Sequence, residues 1–275
     1  MKRFLTSALA ICLVVLSMSS CKKKDNEPPV VPSVATIKAD LSEFSNPVPE
    51  SDTKATIYFN LVANMIQPFQ VFMNNTLAVP THAFELAIQH EPIEIDEDMW
   101  QWTSSYTEGA NTYNSRLIGI ESKDQVHWEM YISCDGPIGF NEYLWFSGHS
   151  AKDGKFGHWE FNLMPNSDYL VMTSDWTTLN GEEVNYAKFA FVANAPLNNG
   201  EVTAIQNSYI ELTGGKLDPS YPQRVVIHHD FLSLWYDFIV EYNTSTHIGR
   251  VQCESYFGAT NWFYWDATHA NYNGN

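Results

Sequence analysis

The chain has 275 residues, of which 44% are hydrophobic and 14% aromatic, with 15 Lys and Arg against 32 Asp and Glu. A formal charge of -17 repels nucleic-acid phosphates and anionic headgroups, which excludes DNA and RNA as partners. The apolar fraction is ample for a core, and 9 Trp, 14 Tyr and 16 Phe suit packing on pleated surfaces, so a mainly β protein is expected.

The first element in chain order is an export signal, residues 1–20. Lys2 and Arg3 precede an apolar run from Phe4 to Leu16, followed by Ser17, Met18, Ser19, Ser20 and Cys21. A positive start, a short apolar stretch and small residues before a cut site form a secretory signal. The run is too short to span a bilayer, which takes about 20 residues. The segment resembles the lipobox of bacterial lipoproteins, with Met18 where Leu is usual. That resemblance implies lipidation of Cys21, with palmitate as the expected acyl group, and cleavage that takes the charge from -17 to -19 by removing Lys2 and Arg3.

Residues 21–50 read as a flexible tether, opening Lys22-Lys23-Lys24-Asp25-Asn26-Glu27-Pro28-Pro29. A lipidated Cys followed by lysines and acids resembles the tether of Bacteroidota outer-membrane lipoproteins. Asn26 interrupts the acidic pair, so surface and periplasmic orientations both stay open.

Residues 51–275 are expected to form one domain. Tyr58, Leu61, Val62, Met65, Ile66, Phe69 and Phe72 recur at helical spacing, predicting an amphipathic helix over 52–74, capped by Ser51 or Asp52 and stopped at Asn74-Asn75. Pro68 is expected to kink or shorten it. A second short helix is read over 80–89. The acidic run Glu91, Glu94, Asp96, Glu97 and Asp98 is read as a loop.

From Trp100 the pattern turns to period two. Strands are predicted over 100–106, 113–121, 126–134, 143–150, 156–163, 169–178, 184–193, 208–212, 224–231, 235–242, 248–253 and 262–265. The joints are short and polar, such as Asp153-Gly154 and Asn180-Gly181, which argues for an antiparallel meander and leaves no room for crossover helices. Gly119, Lys123, Asp124, His127, Trp128 and Glu129 are echoed by Gly148, Lys152, Asp153, His158, Trp159 and Glu160. The echo reads as a repeated hairpin in which a Trp ring covers a Gly. Long flat sheets are rare. The expected fold is therefore a strongly curved sheet or partial barrel packed on one N-terminal helix.

No nucleophile elbow, zinc helix, P-loop, dinucleotide fingerprint, C-x-x-C pair or EF-hand loop is present, and no cofactor or metal is called for. His127 and His158 lack a third ligand and read as structural. His229, Asp237 and Glu241 are placed on one face of a hairpin turning near Ser233, where they form the candidate acid–base set of a carboxylate-dependent, glycoside-hydrolase-like enzyme. A solvated face of charge pairs is the favoured alternative. Cys134 and Cys253 allow one disulfide, with two separate buried thiols preferred. Trp102, Trp145, Trp262 and Tyr264 are the candidate ligand-binding rings, because exposed Trp and Tyr faces stack on sugars. Core packing is the alternative for them.

The tail from Phe257 to Asp266, the strand Gly157-His158-Trp159-Glu160-Phe161 and the tethered Cys21 together resemble a group of Bacteroidota outer-membrane lipoproteins. The resemblance implies address and fold, and no activity. The expectation is a non-enzymatic lipoprotein held at the outer membrane by its lipid and binding a glycan or other ligand. A hydrolase, or a structural role with protein partners, is the alternative.

Overall fold

The computed structural model describes residues 27–47, 56–163, 169–181, 183–192, 205–214, 218–231 and 234–272. Cys21, the signal, and Ser51 and Asp52 lie outside the described residues. Two helices, α1 (Ile57–Asn75) and α2 (Ala78–Ala87), precede the sheet. The strands are β1 (Ile93–Asp96), β2 (Met99–Glu108), β3 (Asn111–Glu121), β4 (Gln125–Asp135), β5 (Phe140–Ala151), β6 (Phe156–Asn162) and β7 (Leu170–Thr178). They continue with β8 (Val184–Phe191), β9 (Tyr209–Gly214), β10 (Gln223–Phe231), β11 (Leu234–Tyr242) and β12 (Gly249–Gln252). A one-turn helix α3 (Glu254–Phe257) comes before β13 (Phe263–Trp265) and β14 (Asn271–Tyr272).

All 14 strands form one sheet in chain order, each antiparallel to the next, as the short polar joints require. β1 and β14 do not pair. The sheet is neither closed nor strongly curled, which corrects the expectation of a partial barrel.

Alternation sends one residue in two to an inner face, and large and small residues alternate across it. Trp100, Gly119, Trp128, Gly148, Trp159 and Ser174 stand side by side on β2 to β7. The Trp128 ring lies over Gly119 and the Trp159 ring over Gly148, as the hairpin echo suggested. Gly157 with Trp176 and Gly249 with Trp265 repeat the device.

Three pieces cover this face. α2 packs on β2 to β4, and α1 packs across β10 and β12 to β14. Between them lies the segment expected to be tether. Residues 27–47 form a strap with two 3-10 turns, Val34–Thr36 and Ser42–Phe44, the first against β7 and β8. Ile37, Leu41 and Phe44 are buried, and the Thr36 hydroxyl accepts from the Trp159 indole N–H at 2.9 Å.

Two further local expectations are corrected. Pro68 does not shorten α1, which runs through it to the expected stop at Asn74-Asn75. The lost helical bond costs about 3 kcal/mol, and burial of Phe69, Phe72 and Met73 beyond it contributes about 1.5–3 kcal/mol each. The acidic loop contains β1, whose Ile93 and Ile95 alternate with Glu94 and Asp96 along the edge of the sheet.

Candidate functional site

The outer face carries the polar half of each strand. Across β10 to β14 the register lines up Arg224, Glu241, Arg250, Tyr264 and Tyr272 in one row. Arg224 Nε donates to Glu241 Oε1 at 2.9 Å, and Arg250 Nε donates to Oε2 at 2.7 Å. Each guanidinium adds a second bond from Nη2 to the same oxygen. Glu241 is therefore only 3% exposed although it sits on the solvent side of the sheet. Arg250 is held between the Tyr221 and Trp262 rings, 4.4 Å from each centroid, with Asp218 at 3.9 Å. Burial opposes the Arg250 charge, but the bonds to Glu241 outweigh it and hold the guanidinium above its ordinary pKa.

This arrangement takes the acid–base set apart. Both Glu241 oxygens are occupied. Asp237 lies four residues away on the same strand, about 13 Å at ~3.3 Å per residue, beyond the 5–9.5 Å that paired glycosidase carboxylates span. Asp237 is exposed, and its Oδ1 accepts from His228 Nδ1 at 2.8 Å. His229 pairs with Tyr236, not Asp237, so it points inward. It is 6% exposed, hydrogen-bonded to Ser208 Oγ at 3.0 Å and edge-on to Phe69. Burial lowers its pKa. A one-residue difference in register moves a side chain to the other face, which is why the three do not converge.

The four ring candidates also divide. Trp102 and Trp145 are 3% and 6% exposed, packed against Trp128 and Phe140 respectively, so no ligand reaches their faces. Trp262 and Tyr264 are half-buried and line one cavity of about 370 Å³ with Tyr58, Asn261, Phe263, Asn271 and Tyr272. Tyr264 and Tyr272 lie 5.6 Å apart, and the Asn271 side-chain Oδ1 accepts the Tyr58 backbone N–H at 3.2 Å. Aromatic walls with amide groups at the rim can bind a polar ring by its apolar face and its hydroxyls.

Cys134 and Cys253 are free and buried. Their places on β4 and directly after β12 are eight strand intervals apart, far beyond the ~7 Å that a disulfide spans. Burial raises the Cys134 pKa.

Two outer-face groups were not foreseen. His127, His149 and His158 stand side by side on β4, β5 and β6, and His158 Nδ1 lies 2.7 Å from Asp175. Among the described residues no group of three His, Cys, Asp or Glu side chains is placed to hold a metal ion. Further along, Lys188 sits 3.9 Å over the Tyr209 ring, and Tyr209, His228 and Trp235 stack at 4.9 Å intervals. These residues come from four different strands, so only the pairing register, not local spacing, brings them together.

No protein-family model, curated protein or solved structure matches the chain.

Proposed function

We propose that this chain is a lipid-anchored outer-membrane protein that binds a glycan without turning it over. The observation that supports this best is the cavity at the C-terminal edge of the sheet. Trp262 and Tyr264, marked by the sequence as candidate stacking rings, share it with Tyr58, Tyr272 and the Asn261 and Asn271 side chains. Its size of about 370 Å³ falls in the lower part of the ~300–1,000 Å³ range of small-ligand sites. Arg250 under the Trp262 ring fixes that ring's plane, so little side-chain entropy is lost when a sugar stacks on it. The separation of Asp237 from the doubly bonded Glu241 favours binding over hydrolysis. The address rests on the signal ending at Cys21 and on the lysine-rich segment that follows it.

Isothermal titration against a panel of soluble polysaccharides and oligosaccharides tests the reading. At least one glycan is expected to bind saturably, with Trp262→Ala and Tyr264→Ala each weakening it by about fivefold or more, given ~0.5–1.5 kcal/mol per ring contact beyond burial. No saturable heat across the panel, or affinity untouched by either substitution, would overturn it.

A further inference from the structure

The first strand pair leaves most of one sheet edge open. β2 runs for ten residues, Met99–Glu108, but β1 pairs only with Met99, Trp100 and Gln101. Among the described residues no strand lies beside Trp102–Glu108 on that side. A strand paired on one side presents its remaining backbone N–H and C=O groups to whatever comes next to it. His90 and Glu91, ahead of β1, stand off from Thr103, Ser104 and Ser105 across an open cavity of about 720 Å³.

The side chains of the open stretch do not cover the edge. Ser104 is hydrogen-bonded to Ser115 at 2.7 Å, Ser105 to Asn114 at 2.9 Å and Thr107 to Thr112 at 3.2 Å. All three partners belong to β3, so the hydroxyls are drawn away from the open side. Edges are blunted by charge, Pro or a bulge. β1 has acids and a slip in register. Ser104-Ser105-Tyr106-Thr107-Glu108 has one charge, at its end, and pairs with β3 without a slip.

This stretch is complementary to itself. Two copies laid antiparallel about a two-fold axis at Tyr106 put Ser104 opposite Glu108, Ser105 opposite Thr107, and Tyr106 opposite Tyr106. No like charges face each other, and both copies contribute the same surface, as a closed dimer requires. Tyr106 is stacked on Tyr113 at 4.9 Å and edge-on to His82, and a second Tyr106 extends that ring pair across the axis. β1 does not allow the same pairing, because an axis at Ile95 sets Glu94 against Asp96.

We infer that the free edge of β2 is a self-association surface, through which two copies of the chain pair Ser104–Glu108 antiparallel and join their sheets into one. The ring-lined cavity lies at the opposite edge, so the inference does not rest on the glycan reading. The formal charge of -17 on each copy opposes the encounter, and about 0.15 M salt, with a Debye length of ~8 Å, screens it.

Sedimentation velocity of the folded Cys21→Ser chain in that salt tests it, the substitution removing any association through a lipid. So small a contact makes a weak interface, and reversible dimers are expected as the concentration rises to about 0.5 mM. Ser105→Lys with Thr107→Lys sets lysines face to face across the axis and should weaken the dimer about tenfold or more. Both positions are exposed, so folding is not at risk. Ser105→Glu with Thr107→Glu should act alike, and mixing the Lys and Glu forms should restore dimers, which a damaged fold would not do. Monomers at every concentration, a dimer indifferent to the lysines, or no recovery on mixing would overturn the inference.

Discussion

Trp265 lies across Gly249 on the inner face, in the space that a side chain at 249 would fill. At Gly119 an added methyl would sit 2.7 Å from the Trp128 ring, and at Gly148 it would meet the His158 carbonyl oxygen as well as Trp159. These glycines are required by volume, since none of the three has a left-handed backbone. Gly214, also in a strand, has nothing within 4 Å of an added methyl. Gly249→Ala is therefore expected to destabilise by about 1–3 kcal/mol through overpacking. Gly214→Ala is expected to be neutral or to stabilise by up to about 1 kcal/mol, because Ala loses less backbone entropy than Gly. Urea unfolding of the two variants gives the comparison, and equal midpoints would refute the volume argument. The Gly–Trp echo was legible because both partners recur at matched spacing. The partners of His229 were not, since a shift of one residue in the β10–β11 turn decides whether it meets Asp237 or Tyr236.

At the scale of elements, the strap shows where local pattern stops being informative. The period-two strands announce themselves because each buries alternate residues against immediate neighbours. The strap has two three-residue turns, too short for any periodicity, and its contacts lie far away in the chain. Thr36 is its main polar fastening. Its hydroxyl donates to the Ser33 carbonyl at 2.7 Å and accepts from Trp159, while its carbonyl accepts from Ser174 Oγ at 2.6 Å. β1 escaped notice for a related reason: five acidic residues among apolar ones suit a solvated loop until an adjacent strand offers free backbone groups. Thr36→Val keeps the shape but leaves the buried Trp159 N–H without an acceptor, and is expected to cost about 1–3 kcal/mol. Thr36→Ser keeps the hydroxyl and should recover most of that loss. Thermal unfolding of both separates the hydrogen bond from simple packing, and identical midpoints for Val and Ser would show that the bond contributes nothing.

For the whole molecule, strand order was readable because every pairing is with the next strand, joined by a turn with its own chemistry. Curvature was not, because it depends on where the ladders slip, and slips fall in β1/β2, β4/β5, β6/β7 and β7/β8 without a sequence mark. An open sheet has two edges to protect. One carries Glu94 and Asp96, and the other ends in the two-residue β14. The strap enters beside the Gly154 turn, where Val30 lies. Five residues separate Cys21 from Glu27, the first described residue, so the six Cα steps reach at most about 20 Å. On the proposed reading, a lipid on Cys21 would hold the end of the sheet that carries the Asp153–Gly154 and Gly181 turns close to the membrane. All core contacts of the strap start beyond that span, so anchoring and folding should be separable. Expressed in a bacterial host with radiolabelled palmitate, the chain is expected to take up label, and Cys21→Ser to lose it. The Cys21→Ser form should keep the urea midpoint of the unsubstituted form, because the buried strap residues Ile37, Leu41 and Phe44 are unchanged. Label retained by Cys21→Ser, or none on the unsubstituted chain, would remove the membrane from the account and leave the ring-lined cavity to be explained in a free protein.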